Sequence, residues 1–223
     1  MRTYSTRTKR LLLGLCWLCG VVFWGSGISV RADTGGANAQ GSSVEADALL
    51  RQMQEIACLQ LITPLHLTDA QLTKIEAILE ATIKNYDQQM KAVATKYFAD
   101  LIPKIEAAHR EALLGKQPPS DLQQKFEDAL GAVLKERDQI NEKNIAAVAN
   151  SVRPLLTDDQ IRTAVKLAHT IPEFKTRTGT DAQWFNLWVA SALLNYDHIV
   201  SLLKELQKAQ ATASTTNSNS DKK

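Results

Sequence analysis

Between Leu72 and Tyr97 apolar side chains recur every three or four residues, at Leu72, Ile75, Leu79, Ile83, Tyr86, Met90, Val93 and Tyr97, with Glu, Lys, Gln and Asp filling most of the gaps. That spacing puts one apolar stripe on one side of a helix, with a period near the 3.5 residues of a coiled coil. A second stripe follows at Leu122, Phe126, Leu130, Val133, Arg137, Ile140, Asn144 and Val148. Alternation of the strand kind is absent throughout, so the expected fold class is all-α. Each rod is about 45 Å long, and Gly115-Lys116-Gln117-Pro118-Pro119 forms a firm turn between them. The expected architecture is an elongated antiparallel helical hairpin with flanking helices. Such a hairpin leaves apolar stripe unburied in a single chain, which is the physical reason to expect a dimer.

The prolines set the other breaks. Thr63-Pro64 ends a helix running from Val44 to about Leu61, Pro103 interrupts the first rod, and Arg153-Pro154 ends the second. Thr157 opens a shorter helix to about Thr170, and Ile171-Pro172 leads into a Thr/Gly connection. A last helix is expected over 181–208. Its segment from Trp184 to Leu194 is apolar on nearly every side, which implies burial on more than one face.

The chain has 223 residues, and its first thirty-two read as a cleavable export signal. Arg2, Arg7, Lys9 and Arg10 precede an uncharged run from Leu11 to Val30, and Val30-Arg31-Ala32 offers small residues for a cut before Asp33. The rival reading is an uncleaved anchor, since twenty apolar residues span a bilayer. Cleavage implies a periplasmic protein with no membrane insertion afterwards. The removed segment carries five of the 26 basic residues and none of the 24 acidic ones, leaving 21 against 24, a formal charge of −3. That balance gives no reason to expect a nucleic-acid partner. Residues 33–43 read as a flexible lead-in, 44–211 as the helical domain, and 212–223 as a disordered tail rich in Ser, Thr, Asn and Lys.

Two short segments share a pattern: Leu67-Thr68-Asp69-Ala70-Gln71 and Leu156-Thr157-Asp158-Asp159-Gln160. In each, the threonine hydroxyl can accept from free amides of the first turn while the glutamine three residues on reaches back to the threonine amide, a capping box. The preceding leucine can staple to the residue five further on, Leu72 or Ile161. Thr180-Asp181-Ala182-Gln183 and Ser120-Asp121-Leu122-Gln123 have the box without the leucine.

An export signal, an all-helical body and paired L-T-x-x-Q motifs resemble the Spy/CpxP group of periplasmic proteins, the LTXXQ family. The likeness covers about residues 60–170, with Leu67, Thr68, Gln71, Leu156, Thr157 and Gln160 as the motif residues. It implies long bent helices, two protomers wrapped into a thin cradle, and an ATP-independent chaperone or stress-response role toward unfolded or envelope proteins. It equally implies, as alternatives, a metal-responsive sensor or a modulator of a sensor kinase. A structural or adaptor protein is the remaining class.

Other chemistry finds little footing. His66, His109, His169 and His198 are separate in sequence, and Glu106-x-x-His109 lacks the second copy that a di-iron bundle needs. No nucleophile elbow or phosphate-binding glycine loop is present, so neither an enzyme nor a cofactor is expected. Cys58, the one cysteine after residue 32, reads as a buried small hydrophobe or as the thiol of a disulfide between copies. Trp184, Phe185, Trp188 and Tyr196 read as core or as a candidate partner surface.

Overall fold

A computed structural model describes residues 39–220, with side chains placed over 46–212. The export signal, its cut site and the anchor alternative lie outside the described residues. Seven α-helices and no strand occur among them: α1 (Ala39–Ile62), α2 (Asp69–Phe98), α3 (Ile102–Leu113), α4 (Leu122–Val152), α5 (Asp158–Thr170), α6 (Asp181–Leu193) and α7 (Ile199–Ser220). The fold class is all-α, and no described helix is long and apolar enough to cross a membrane.

The prolines act where the sequence places them. Pro64 and Pro154 each sit in a one-turn 3-10 helix, Thr63–Leu65 and Arg153–Leu155, between a finished helix and the next start. Pro103 falls in the first turn of α3, where its missing N–H costs nothing. Three boundaries differ from expectation. Helical structure begins at Ala39, inside the anticipated lead-in, and α7 continues to Ser220 through the anticipated tail. The single helix expected over 181–208 is two helices, because the chain leaves helical geometry at Leu194 and resumes at Ile199.

The chain divides into two compact units, 1–76 with 155–223, and 77–154. The first contains α1, the start of α2, and α5 to α7. Its core holds Cys58, Ile62, Leu65, Leu67, Leu72 and Ile75 together with Trp184, Phe185, Trp188, Val189, Leu193, Ile199 and Leu203, all nearly solvent-free. Helix α6 packs on α5 and α1 and is buried on several sides. Two polar tips find partners there. Trp188 Nε1–H donates to the Leu61 carbonyl at 2.9 Å, and the Tyr196 hydroxyl donates to Glu55 Oε1 at 2.6 Å. Aromatic rings continue the packing, with His169 and Trp184 centroids 3.7 Å apart and Phe185 and Trp188 at 5.5 Å.

The second unit contains the rest of α2, with α3 and α4. Its contacts include a Lys96–Glu136 ion pair at 3.1 Å and stacking of Phe98 on Phe126 with centroids 5.9 Å apart. Burial of the α2 stripe fades along its length: Leu79 is inaccessible, Ile83, Tyr86 and Met90 are half-buried, and Val93 is buried again. Arg137 is in the α4 stripe as its spacing requires, with its side chain 14% exposed beside Asp138.

Candidate functional site

The two L-T-x-x-Q segments come together in the first unit. Each builds its own helix start. At α5 the Thr157 amide donates to Gln160 Oε1 at 2.9 Å, and the Gln160 amide donates to Thr157 Oγ1 at 3.2 Å. At α2 the Thr68 amide donates to Gln71 Oε1 at 2.9 Å, and the Gln71 amide donates to Thr68 Oγ1 at 3.3 Å. Asp69, Asp158 and Asp159 place carboxylates in the positive first turns. Leu67 and Leu156 are buried, as staple residues should be.

The glutamine side chains then reach across 89 residues of sequence. Gln71 Nε2 donates to Gln160 Oε1 at 2.9 Å and to the Leu155 carbonyl at 2.7 Å. Gln160 Nε2 returns the pattern, donating to Gln71 Oε1 at 3.2 Å and to the Leu65 carbonyl at 3.0 Å. Both N–H groups of each amide are therefore used, and each Oε1 accepts from its own threonine amide and from the other glutamine. The result is a reciprocal amide clasp, half-buried and with its side-chain donors satisfied.

The clasp is missed by motif reading, but a signal for it is present. Each copy is preceded by Pro-Leu: Pro64-Leu65 and Pro154-Leu155. The 3-10 turn made by each pair ends in the leucine whose carbonyl accepts from the opposite glutamine. The copies differ by one inserted residue, His66, which takes a left-handed conformation with φ of 48°. The third box forms at Thr180–Gln183 and stands outside the clasp. The fourth does not form: Asp121, not Ser120, occupies the start of α4, in helical geometry and without a side-chain cap. Its carboxylate pairs with Lys125 instead, which holds its pKa below the usual range.

The remaining candidates are placed as follows. Trp184, Phe185, Trp188 and Tyr196 are at most 5% exposed, so they are core and not a partner surface. Burial first, and the Glu55 hydrogen bond second, push the Tyr196 hydroxyl above its ordinary range. Cys58 is 4% exposed, which keeps it from a disulfide with another copy in this fold. Burial, then the nearby Glu55 carboxylate, push its thiol up to about 11, so it is protonated and inert at neutral pH. Among the described residues no three His, Cys, Asp or Glu side chains group as a metal site would need. A small cleft of about 210 Å³ is lined by Arg177, Thr178, Gln183, Trp184 and Asn186 at the start of α6.

The second unit carries a set of exposed large apolar side chains. Ile102, Ile105, Leu113 and Leu114 around α3, with Phe126, Leu130 and Leu134 on α4, are all more than a third exposed. Comparison with family models, with curated proteins and with solved structures finds no match for this chain.

Proposed function

We propose that this is an exported, non-enzymatic binding protein of the Spy/CpxP kind, which holds unfolded or envelope proteins on an apolar helical surface without a nucleotide. The observation that carries the reading is the imbalance in the second unit. Seven large apolar side chains stand exposed there, while its buried apolar set is thin: Leu79, Val93, Leu101, Ala108, Val133, Val148, Ala149 and Val152. Water-exposed surface of that kind marks an interaction site. Rigid flanking helices would present it without the entropy cost of ordering a loop.

Two further observations support an elongated antiparallel hairpin as the carrier. The Lys96–Glu136 and Phe98–Phe126 contacts advance along α2 while they retreat along α4. The turn at Gly115, with φ of 76°, and Pro118-Pro119 separate the two arms. The clasp contributes mechanically, since it ties the helix starts at both ends of this segment into the first unit. The reading includes a homodimer and a periplasmic location.

The test is light scattering from a client that aggregates on reduction, with the chain from Asp33 added at stoichiometric amounts. A reductant removes no internal disulfide from this protein, whose lone cysteine beyond residue 32 is Cys58. Suppressed scattering, weakened several-fold by Phe126→Glu with Leu130→Glu, is the expected result. Aggregation unchanged by the native chain removes the proposal.

A further inference from the structure

The cleft at the start of α6 is walled by hydrogen-bond donors that the chain itself does not use. Trp184 is 3% exposed, yet its Nε1–H donates to no group among the described residues. A buried indole normally finds an acceptor, as Trp188 does on the Leu61 carbonyl. The Trp184 N–H is not among the fully enclosed polar atoms of the core. The sliver of indole left open therefore includes it, and that opening is wall of the cleft. His169 stacks on the same ring with centroids 3.7 Å apart, which fixes its plane. The third capping box supplies a second donor. Gln183 Oε1 accepts from the Thr180 amide at 2.8 Å, while its Nε2, the atom used twice in each clasp glutamine, donates to no protein group. Gly179 permits this fold-back, since a Cβ there would stand 2.8 Å from Gln183 Oε1. Arg177 completes the wall. Its guanidinium lies 5.1 Å from the Phe174 ring centre and forms no ion pair among the described residues.

We infer that this cleft binds a small organic carboxylate, with the Arg177 guanidinium as countercharge and the Trp184 and Gln183 side-chain N–H groups as hydrogen-bond donors. The make-up of the wall selects the class. No Asp, Glu, His or Cys lines it, so a metal ion has no ligands there and an anion meets no like charge. Glu173 and Asp181, the nearest acidic residues in sequence, both lie outside the lining. Unused donors beside a Gln183 Oε1 that is already taken favour a group that only accepts, and an ionised carboxylate is such a group. A guanidinium meets a carboxylate as a planar two-bond fork. One guanidinium balances one negative charge, whereas a phosphate dianion calls for more. The N-terminal end of α6 adds its partial positive charge. Leu187 and the indole offer apolar wall to a carbon chain. The volume of about 210 Å³ is below the roughly 300–1,000 Å³ of a drug-sized pocket, so that chain is short. The site belongs to the first unit and is separate from the apolar surface of the second.

Nuclear magnetic resonance of the indole N–H groups tests this on the isotope-labelled chain from Asp33, whose tryptophans are Trp184 and Trp188. Butyrate is the probe, butyramide its uncharged counterpart and inorganic phosphate the rival anion. Butyrate should move the Trp184 signal saturably, with a Kd of about 1 mM, a scale open to so small a ligand. The Trp188 signal, held by its bond to the Leu61 carbonyl, should stay in place as an internal control. Arg177 is on the surface, so Arg177→Gln should keep the backbone spectrum while weakening butyrate about tenfold. No saturable shift at Trp184, an equal response to butyramide, tighter binding of phosphate, or an unaltered Kd in Arg177→Gln each overturns the inference. None of these readouts involves client aggregation, so this proposal and the holdase reading fail separately.

Discussion

At the scale of single residues, the choice of glutamine over glutamate separates two roles that share one side chain. A capping box needs only an acceptor at its last position, and glutamate serves as well as glutamine. The clasp also needs donors, because Gln71 Nε2 and Gln160 Nε2 each supply two hydrogen bonds. Gln71→Glu keeps the bond from the Thr68 amide but sets a carboxylate against the Leu155 carbonyl and Gln160 Oε1. It should cost about 2–3 kcal/mol in chemical denaturation, as expected when buried partners lose a charged or neutral donor. Gln183→Glu, in a box outside the clasp, should change stability by less than about 0.5 kcal/mol. Equal costs at the two positions would mean that capping alone is at work. Cys58 offers a second residue-scale check. Its folded thiol is raised to about 11 from an ordinary 9.0. The stability linked to it is therefore complete below pH 9 and lost as pH rises through 11, where the unfolded thiol ionises first. A thiol reagent at pH 8 should label the native chain slowly and the urea-unfolded chain at the rate of a free cysteine.

Elements were legible where local chemistry decides them. The stripes predict α2 and α4 because their buried and half-buried positions repeat at helical spacing, and Thr68, Thr157 and Thr180 mark true helix starts. The clasp was not legible from periodicity, since its bonds join residues 89 apart and depend on where two carbonyls point. The break between α6 and α7 is hidden for another reason. Leu193, Tyr196 and Ile199 keep an apolar three-residue spacing through it, with no glycine or proline to mark the gap. The Ser120 box does not form: Asp121 precedes α4 in helical geometry in its place, and its carboxylate pairs with Lys125 one turn on. The α1–α2 connection yields a prediction of its own. His66 holds a left-handed backbone that costs an ordinary residue about 1 kcal/mol and glycine almost nothing. His66→Gly should raise the melting temperature by about 2–4 °C, provided the gain exceeds the extra freedom glycine gives the unfolded chain. A melting temperature that falls would show that the imidazole contributes more than the turn costs.

For the whole molecule, the two units differ in how much of their stability comes from burial. The first holds four buried aromatics and a dense set of aliphatics beside four exposed large apolar side chains on α1, whereas the second leaves seven in water over a thinner buried set. Hydrophobic area removed from water is the main favourable term in folding, so the second unit should have the smaller reserve. Tryptophan placement makes this measurable. Trp184 and Trp188 lie in the first unit, the second has none, and Trp17 and Trp24 fall before the expected cut. Fluorescence of the chain from Asp33 therefore reports the first unit alone, while far-ultraviolet circular dichroism reports helix in both. In a urea titration the dichroism should begin to fall at a lower concentration than the fluorescence, and the two curves should not superimpose. Coincident curves would mean that the units unfold as one cooperative body, and the exposed apolar set would then have to be balanced by coupling between them.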